Sequence, residues 1–152
     1  MCFNTRGGYQ CLDIPCLASY HRGHSPGTCY RPCTPRLDCA TVSSPPLLQY
    51  KLLTLPRGIP AHHNVARLSA FSESGVLQGH TSFTVLEQGG DTGERPFGIK
   101  DEAGRGIIFT VMPLDLPGLV RLRVQATTLS GQGRIIYQSI FIIYISISKY
   151  PY

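Results

Sequence analysis

The sequence predicts a mainly β protein in which a small disulfide-rich segment precedes an antiparallel β-sandwich of about seven strands. All six cysteines fall within the first 39 of the 152 residues, as they do when a disulfide-stapled module precedes a self-sufficient domain. The chain contains 16 Gly and 12 Pro, which suits short strands joined by turns, and no stretch shows a sustained helical period. An apolar fraction of 42% is enough for one core.

Residues 119–147 predict a β-hairpin at the centre of that core. Apolar and polar side chains alternate over 119–129 with the period of a half-buried strand, and the glycines of 130–133 permit a tight reversal. Residues 135–147 are β-branched or aromatic almost throughout, which predicts a strand covered on both faces. A membrane segment is the alternative, but a spanning helix needs about twenty apolar residues, and Gln138 and Ser139 interrupt this run.

Seven strands are predicted in all, each bounded by turn signals. They span residues 48–55, 65–71, 81–86, 97–100, 107–113, 119–129 and 135–147. The stretch 41–46 reads Thr-Val-Ser-Ser-Pro-Pro and is a linker by composition. We therefore expect an autonomous domain from 47 to 152.

The charge pattern does not identify a nucleic-acid binder, and none is expected. The net charge is +5, yet the arginines are scattered and form no run. Arg121 and Arg123 are predicted to point outward from one strand face, where they are either a contact for a polyanion such as heparan sulfate or a solvated surface.

Nothing resembles a nucleophile elbow, a phosphate-binding loop or a zinc-protease helix, so no catalytic residue is predicted. His62 and His63 read as a solvated loop pair, and Asp101 as part of an exposed turn with local charge pairing.

The later cysteines favour disulfides over zinc. Cys33 and Cys39 enclose a short proline-bearing loop and are expected to bridge each other. A zinc site would need Cys29 and Cys33 together with His21 and His24. These histidines lie between the cysteines rather than after them, which departs from the usual ligand spacing.

Two parts of the chain resemble known modules. Residues 2–11, Cys-Phe-Asn-Thr-Arg-Gly-Gly-Tyr-Gln-Cys, resemble the second half of a calcium-binding EGF-like module. Residues 48–59 and 141–152 resemble the fibulin-type C-terminal module of the fibulin and hemicentin family, and the Tyr-Pro-Tyr ending is closest to the hemicentins. The resemblance covers essentially the whole chain. It implies half an EGF-like module at 1–29, a junction and linker at 30–46, and the fibulin-type module at 47–152.

The resemblance also implies a disulfide pattern. In that family the fifth and sixth EGF cysteines pair, which here gives Cys16–Cys29. The family's partners for Cys2 and Cys11 would lie before Met1, so truncation is expected to leave both without their family partners: free, mispaired with each other, or joined between chains. No export signal follows Met1, which together with the half module suggests a fragment, an isoform or an incomplete gene model of a longer secreted protein.

Calcium and function follow from the same resemblance. Asn4 would give its side-chain oxygen, and Thr5 and Gly8 their carbonyls, to a partial calcium site that lacks the usual acidic ligands. The alternative is that Asn4 stabilises a turn. The implied function is that of a non-enzymatic structural or adhesion module of the extracellular matrix, in basement membrane or elastic matrix. It would bind other matrix proteins, without nucleic-acid binding or membrane insertion. A cell-surface or glycosaminoglycan-binding domain is the alternative.

Overall fold

The protein is described here by a computed structural model, which covers residues 2–5, 8–11, 15–16, 20–23, 27–30, 47–71 and 77–151. Its strands are β1 (Cys2–Thr5), β2 (Gly8–Cys11), β3 (His21–Arg22), β4 (Thr28–Tyr30), β5 (Leu47–Arg57), β6 (Asn64–Leu68), β7 (Thr81–Gly90), β8 (Phe97–Glu102), β9 (Arg105–Thr110), β10 (Gly118–Leu129) and β11 (Ile135–Pro151). The mainly β prediction is confirmed, and each of the seven predicted strands corresponds to one of β5 to β11. Within the described ranges, no helix is long and apolar enough to cross a membrane.

The strands form two sheets and a separate hairpin. The larger sheet has the order β3-β4-β5-β11-β10-β7, the smaller has the order β6-β9-β8, and β1 pairs with β2. The antiparallel expectation needs one correction, because β5 and β11 pair in parallel and make the larger sheet mixed. These two strands are far apart in sequence, and the side-chain alternation that predicts a strand carries no information about the direction of a distant partner.

One apolar core fills the space between the two sheets. Alternate residues of β10 and β11 point into it and meet side chains from the smaller sheet. Its members include Val120, Leu122, Val124, Ala126, Phe141, Ile143, Ile145, Ile147, Leu68, Phe97 and Ile108. Burial of each large side chain contributes about 1.5–3 kcal/mol relative to exposure. Two sheets that share one core have the arrangement of a β-sandwich.

The opposite face of β11 is also buried. Ile140 and Ile142 point away from the sandwich core, yet they are only 2% and 8% exposed. They pack in a second cluster with Tyr20, Cys29 and Leu48. The prediction that β11 is covered on both faces is therefore confirmed, and part of its second cover comes from the cysteine-rich segment.

Hydrogen bonds join that segment to the larger sheet. In the antiparallel pair of β4 and β5, Thr28 lies opposite Gln49, and the Tyr50 amide donates to the Gly27 carbonyl at 2.7 Å. The larger sheet thus includes strands from both sides of the predicted linker, whose residues 41–46 lie outside the described ranges. The division of the chain at residues 46 and 47 into separate modules stays a prediction.

Side chains link the neighbouring edges of β7 and β8 by bonding to backbone groups of the other strand. Gln88 donates from Nε2 to the Phe97 carbonyl and accepts from the Phe97 amide through Oε1, both at 2.9 Å. Asp101 Oδ1 accepts from the Phe83 amide at 2.9 Å. Asp101 is exposed beside the β8–β9 turn as predicted, and its carboxylate in addition links β8 to β7, while the local charge pairing stays a prediction. An edge satisfied in this way offers fewer backbone groups to a foreign strand.

Candidate functional site: a groove on the outer face of the larger sheet

The alternation along β10 places two arginines on the outer face of the larger sheet. Arg121 is exposed and Arg123 half-buried, while the residues between and beside them are buried in the core. Arg121 lies opposite Tyr144 on β11 and opposite Gly89 on β7. The prediction that Arg121 and Arg123 share one outward strand face is confirmed.

These residues line a cavity of about 290 Å³. Its lining consists of Glu87, Gly89, Gly90, Asp91, Leu119, Arg121, Arg123 and Tyr144. The volume lies just below the range of about 300–1,000 Å³ that is typical of small-molecule pockets. It therefore suits one or two side chains or sugar-sized groups rather than an extended ligand.

Two glycines shape the groove in different ways. A Cβ on Gly90 would collide with the Leu119 carbonyl oxygen, so the close approach of β7 and β10 requires glycine there. A Cβ on Gly89 would meet no atom within 4 Å. Neither space nor a positive φ constrains Gly89, and the lack of a side chain at this position leaves the groove open beside Arg121.

The groove walls are balanced in charge. Glu87 lies opposite Arg123 in the β7–β10 pairing, and Asp91 Oδ2 accepts from the Leu119 amide at 3.0 Å. Two arginines thus share the groove with two carboxylates. The sequence reasoning missed both acids, because only the register of β7 against β10 brings them to the arginines. Such a groove attracts a dense polyanion weakly and instead suits a partner that presents both signs of charge.

Tyrosines border the arginine end of the groove. Burial raises the pKa of the Tyr50 phenol above its ordinary value of 10.0, and Tyr144 and Tyr20 raise it further, whereas Arg121 lowers it. Tyr50 and Tyr144 also pack against the second apolar cluster. The groove therefore runs directly into the surface that the cysteine-rich segment covers.

The structure brings the three predicted calcium ligands together in the backbone of one hairpin. Thr5 pairs with Gly8, and Asn4 pairs with Tyr9, at the turn end of β1 and β2. In the described part of the chain, no three His, Cys, Asp or Glu residues are grouped as a metal site would need. The predicted ligands are an amide oxygen of Asn4 and main-chain carbonyls of Thr5 and Gly8, which are oxygens of another kind, so the partial calcium site stays a prediction.

The cysteines confirm one expectation and narrow another. The predicted Cys16–Cys29 disulfide is present, which also removes Cys29 from the zinc alternative. Cys11 is disulfide-bonded, so it is not free, which was one of the three states expected of it. The register places the backbone of Cys2 directly opposite Cys11, as the alternative that these two cysteines pair with each other requires. None of the described cysteines is free.

The structure does not describe three of the residues that the sequence analysis singled out. Cys33, Cys39 and His24 lie outside the described residues. The bridge between the two cysteines therefore stays a prediction.

The prediction that His62 and His63 are a solvated pair in a loop is confirmed, since both side chains are exposed at a turn.

Fold and groove together define a disulfide-stapled β module with a charge-balanced outer surface. The chain is a hemicentin-like region: it is 46% identical over 153 aligned residues to hemicentin-2 from Mus musculus. It is 41% identical to hemicentin-1 from Homo sapiens and 40% identical to hemicentin-1 from Mus musculus. These alignments span 100% of this chain but only 3% of each relative. No protein-family model and no solved structure matches the chain.

The position of Tyr50 predicts how its titration responds to a neighbouring charge. Because Arg121 lowers the pKa of Tyr50, Arg121→Gln should raise that pKa further. The matched control Lys51→Gln removes an exposed cation from the opposite face of β5 and should leave the pKa of Tyr50 unchanged. The measurement is tyrosinate absorbance against pH, with a Tyr50→Phe reference subtracted.

The sign of the linked stability effect follows. A folded-state pKa above 10.0 means that the contribution of Tyr50 to stability is complete below pH 10 and is lost as the pH rises through the folded value. Tyr50→Phe should therefore flatten the alkaline fall in the free energy of unfolding. A titration that moves down in Arg121→Gln, or an equal shift in Lys51→Gln, would contradict the described geometry.

Proposed function

We propose that the chain is a non-enzymatic structural module of an extracellular-matrix protein and that it holds other matrix proteins through its surfaces. The similarity to hemicentins over the whole chain supports this role. Because the alignments span only 3% of each relative, the chain would correspond to a small part of a much longer protein.

The observation that carries the proposal is the Cys16–Cys29 disulfide. Cys29 is 2% exposed and packs with Leu48 and Ile140. A cysteine in such a setting is structural, since reactive cysteines are partly exposed and electropositive in their surroundings. Structural disulfides persist in oxidising compartments, which supports a secreted, matrix location.

The groove is the proposed contact for a matrix partner. Arg121 and Arg123 can form bidentate bonds with carboxylates, and Glu87 can accept from a partner's cation. The half-buried Tyr144 adds an amphipathic ring of the kind enriched at protein interfaces. A mixed-charge surface of a protein fits this arrangement better than a chain of sulfates does.

The test is retention on decellularised basement membrane at physiological salt. The intact chain should be retained, and the double variant Arg121→Ala with Arg123→Ala should be retained several-fold less. The control, Arg67→Ala with Arg105→Ala, removes two exposed arginines from the smaller sheet with the same change in net charge, and it should behave as the parent does. Retention no greater than that of an unrelated basic β protein would contradict the proposal.

The same assay distinguishes a protein partner from a glycosaminoglycan. The arginine pair is an argument for glycosaminoglycan binding, and the two carboxylates of the groove are an argument against it. Added heparin should displace the bound chain poorly, because Glu87 and Asp91 in the groove repel a polyanion. Complete displacement by heparin but not by neutral dextran, lost in the double arginine variant, would instead support a glycosaminoglycan-binding domain.

A remnant calcium site on the β1–β2 hairpin belongs to this proposal. Calcium takes six to eight oxygen ligands, and Asn4, Thr5 and Gly8 offer three neutral ones. With so few ligands and no charge among them, the affinity should lie in the millimolar range of loosely built extracellular sites, about 10⁻⁴–10⁻³ M, or weaker.

Calorimetry tests the calcium site with three chains. The chain as it stands should bind calcium weakly, and Asn4→Ala should weaken binding further because it removes a ligand. Asn64→Ala, at an exposed asparagine of β6, is the control and should not change the affinity. Equal binding by the parent and Asn4→Ala would mean that Asn4 shapes the turn without binding calcium.

A further inference from the structure

The two arginines of the groove have different neighbours in the sheet. Glu87 on β7 lies opposite Arg123. Arg121 instead has Gly89 opposite it on β7 and Tyr144 opposite it on β11. Arg121 is therefore the groove arginine that the register leaves without a carboxylate on either side.

The remaining groove carboxylate is engaged elsewhere. Asp91 Oδ2 accepts from the Leu119 amide at 3.0 Å, which ties this acid to the start of β10. Arg121 is also exposed. An exposed guanidinium with no acid opposite it is available to an anionic group of another molecule.

Gly89 keeps the space beside Arg121 open. Glycine within a strand weakens the strand and often marks a bulge, a tight bend, or a place where a ligand or another backbone approaches closely. The bulge in this pair lies between Arg123 and Val124, and the register is regular at Gly89. Its backbone has no positive φ, and a Cβ there would meet no atom within 4 Å. Of these explanations, the approach of a ligand is the one that fits the position.

The chemistry of the walls selects a carboxylate for that space. A guanidinium binds a carboxylate through two parallel hydrogen bonds, and the phenol of half-buried Tyr144 can donate a third. Arg121 would repel a cation, and an apolar group would cover the guanidinium without giving it a partner. A polyanion would bring further negative charge against Glu87 and Asp91. The space therefore favours one isolated carboxylate.

Glu87 adds a second requirement on the partner. It lies two residues before Gly89 on the same face of β7, about 6.5 Å away along the strand, and it is exposed. A carboxylate accepts several hydrogen bonds, so Arg123 does not exclude a second donor. Residues two apart in an extended partner segment have the same spacing. A segment that places an acid over Gly89 can therefore place a base over Glu87.

We propose that Arg121 and Gly89, beside the Tyr144 phenol, form a receptor for one acidic side chain of an extended segment of a partner protein. Glu87 receives a basic side chain two residues away in that segment. The inference rests on the proposed function and names what the matrix partner must present. Gly89 determines specificity, because a side chain at this position would occupy the space that the partner's acid needs.

Nuclear magnetic resonance of the arginine Nε groups tests the receptor on the unsubstituted chain, with resonances assigned from Arg121→Gln and Arg123→Gln. The probe is sodium acetate, compared with sodium chloride at equal ionic strength. Acetate should shift the Arg121 resonance in a saturable manner. It should shift the Arg123 resonance less, because Glu87 lies opposite Arg123. An equal or larger shift of the Arg123 resonance would overturn the assignment.

Two blocked peptides of the same composition test the spacing. Both consist otherwise of Thr and Val, which favour an extended backbone, and one contains Glu-Thr-Lys where the other contains Glu-Lys-Thr. The first should bind about tenfold more tightly, as expected for one additional charged contact, and Glu87→Gln should remove the difference. Equal affinity of the two peptides for the unsubstituted chain would overturn the role of Glu87.

Substitutions at Gly89 test the specificity position. Gly89→Asp places a carboxylate opposite Arg121, so it should abolish the acetate shift and lower the affinity for the Glu-Thr-Lys peptide about tenfold or more. Gly89→Asn occupies the same space without charge and should weaken the peptide while keeping more of the acetate shift. Gly131→Asp, at a turn position where a Cβ also meets no atom within 4 Å, is the matched control and should bind as the parent does. Parent-like binding by Gly89→Asp would overturn the proposal. If the Gly89 variants do not fold, the acetate and peptide comparisons on the unsubstituted chain decide the question.

These outcomes can be separated from a failure of the proposed function. If acetate and the Glu-Thr-Lys peptide bind at Arg121 but the matrix does not retain the chain, the matrix role fails and the receptor stands. If the matrix retains Gly89→Asp as strongly as the parent and the probes do not bind, the receptor fails and the matrix role stands. Hyaluronan, an unsulfated polymer of carboxylate-bearing sugars, is the other source of carboxylates. Tighter binding of hyaluronan than of the peptide would overturn the assignment to a protein segment.

Discussion

The structure depends on the burial of β11 from both sides. Its core face packs in the sandwich, and its other face is covered in part by Tyr20 and Cys29 of the cysteine-rich segment. A strand that alternated apolar and polar residues, as β10 does, could not present an apolar surface on both of its faces. The nearly continuous β-branched and aromatic composition of β11 therefore requires a second cover, and the Cys16–Cys29 disulfide holds that cover in its folded form.

Local sequence patterns predicted the strands and the burial of β11, because side-chain period and turn residues are local signals. They could not predict that β5 pairs in parallel with β11, since the pairing depends on partners far apart in the chain. The same limit explains the site. Arg121 and Arg123 were visible from the alternation, whereas Glu87 reaches Arg123 only through the register of β7. The bonds of Gln88 and Asp101 to backbone groups likewise had no sequence signal.

The charge balance of the groove changes how the surface should be understood. From the sequence alone, the two arginines indicated either a contact for a polyanion or a solvated surface. With Glu87 and Asp91 beside them, they instead favour a partner with both signs of charge. The family resemblance predicted the Cys16–Cys29 bridge correctly, and of the states that it left open for Cys11 the structure excludes the free thiol. Its implied calcium site now rests on a hairpin whose backbone brings the three predicted residues together.

The central claim is that the cysteine-rich segment completes the cover of β5 and β11, and amide hydrogen exchange of the intact chain tests it most directly. The amide of Tyr50 donates to Gly27 in that segment, while the amide of Lys51 faces β11. Both amides should be protected in the oxidised chain. After reduction of Cys16–Cys29, the Tyr50 amide should lose far more protection than the Lys51 amide does. If Tyr50 exchanges at the rate of an unprotected amide in the oxidised chain while Lys51 is protected, the segment does not cover this face and the account is wrong.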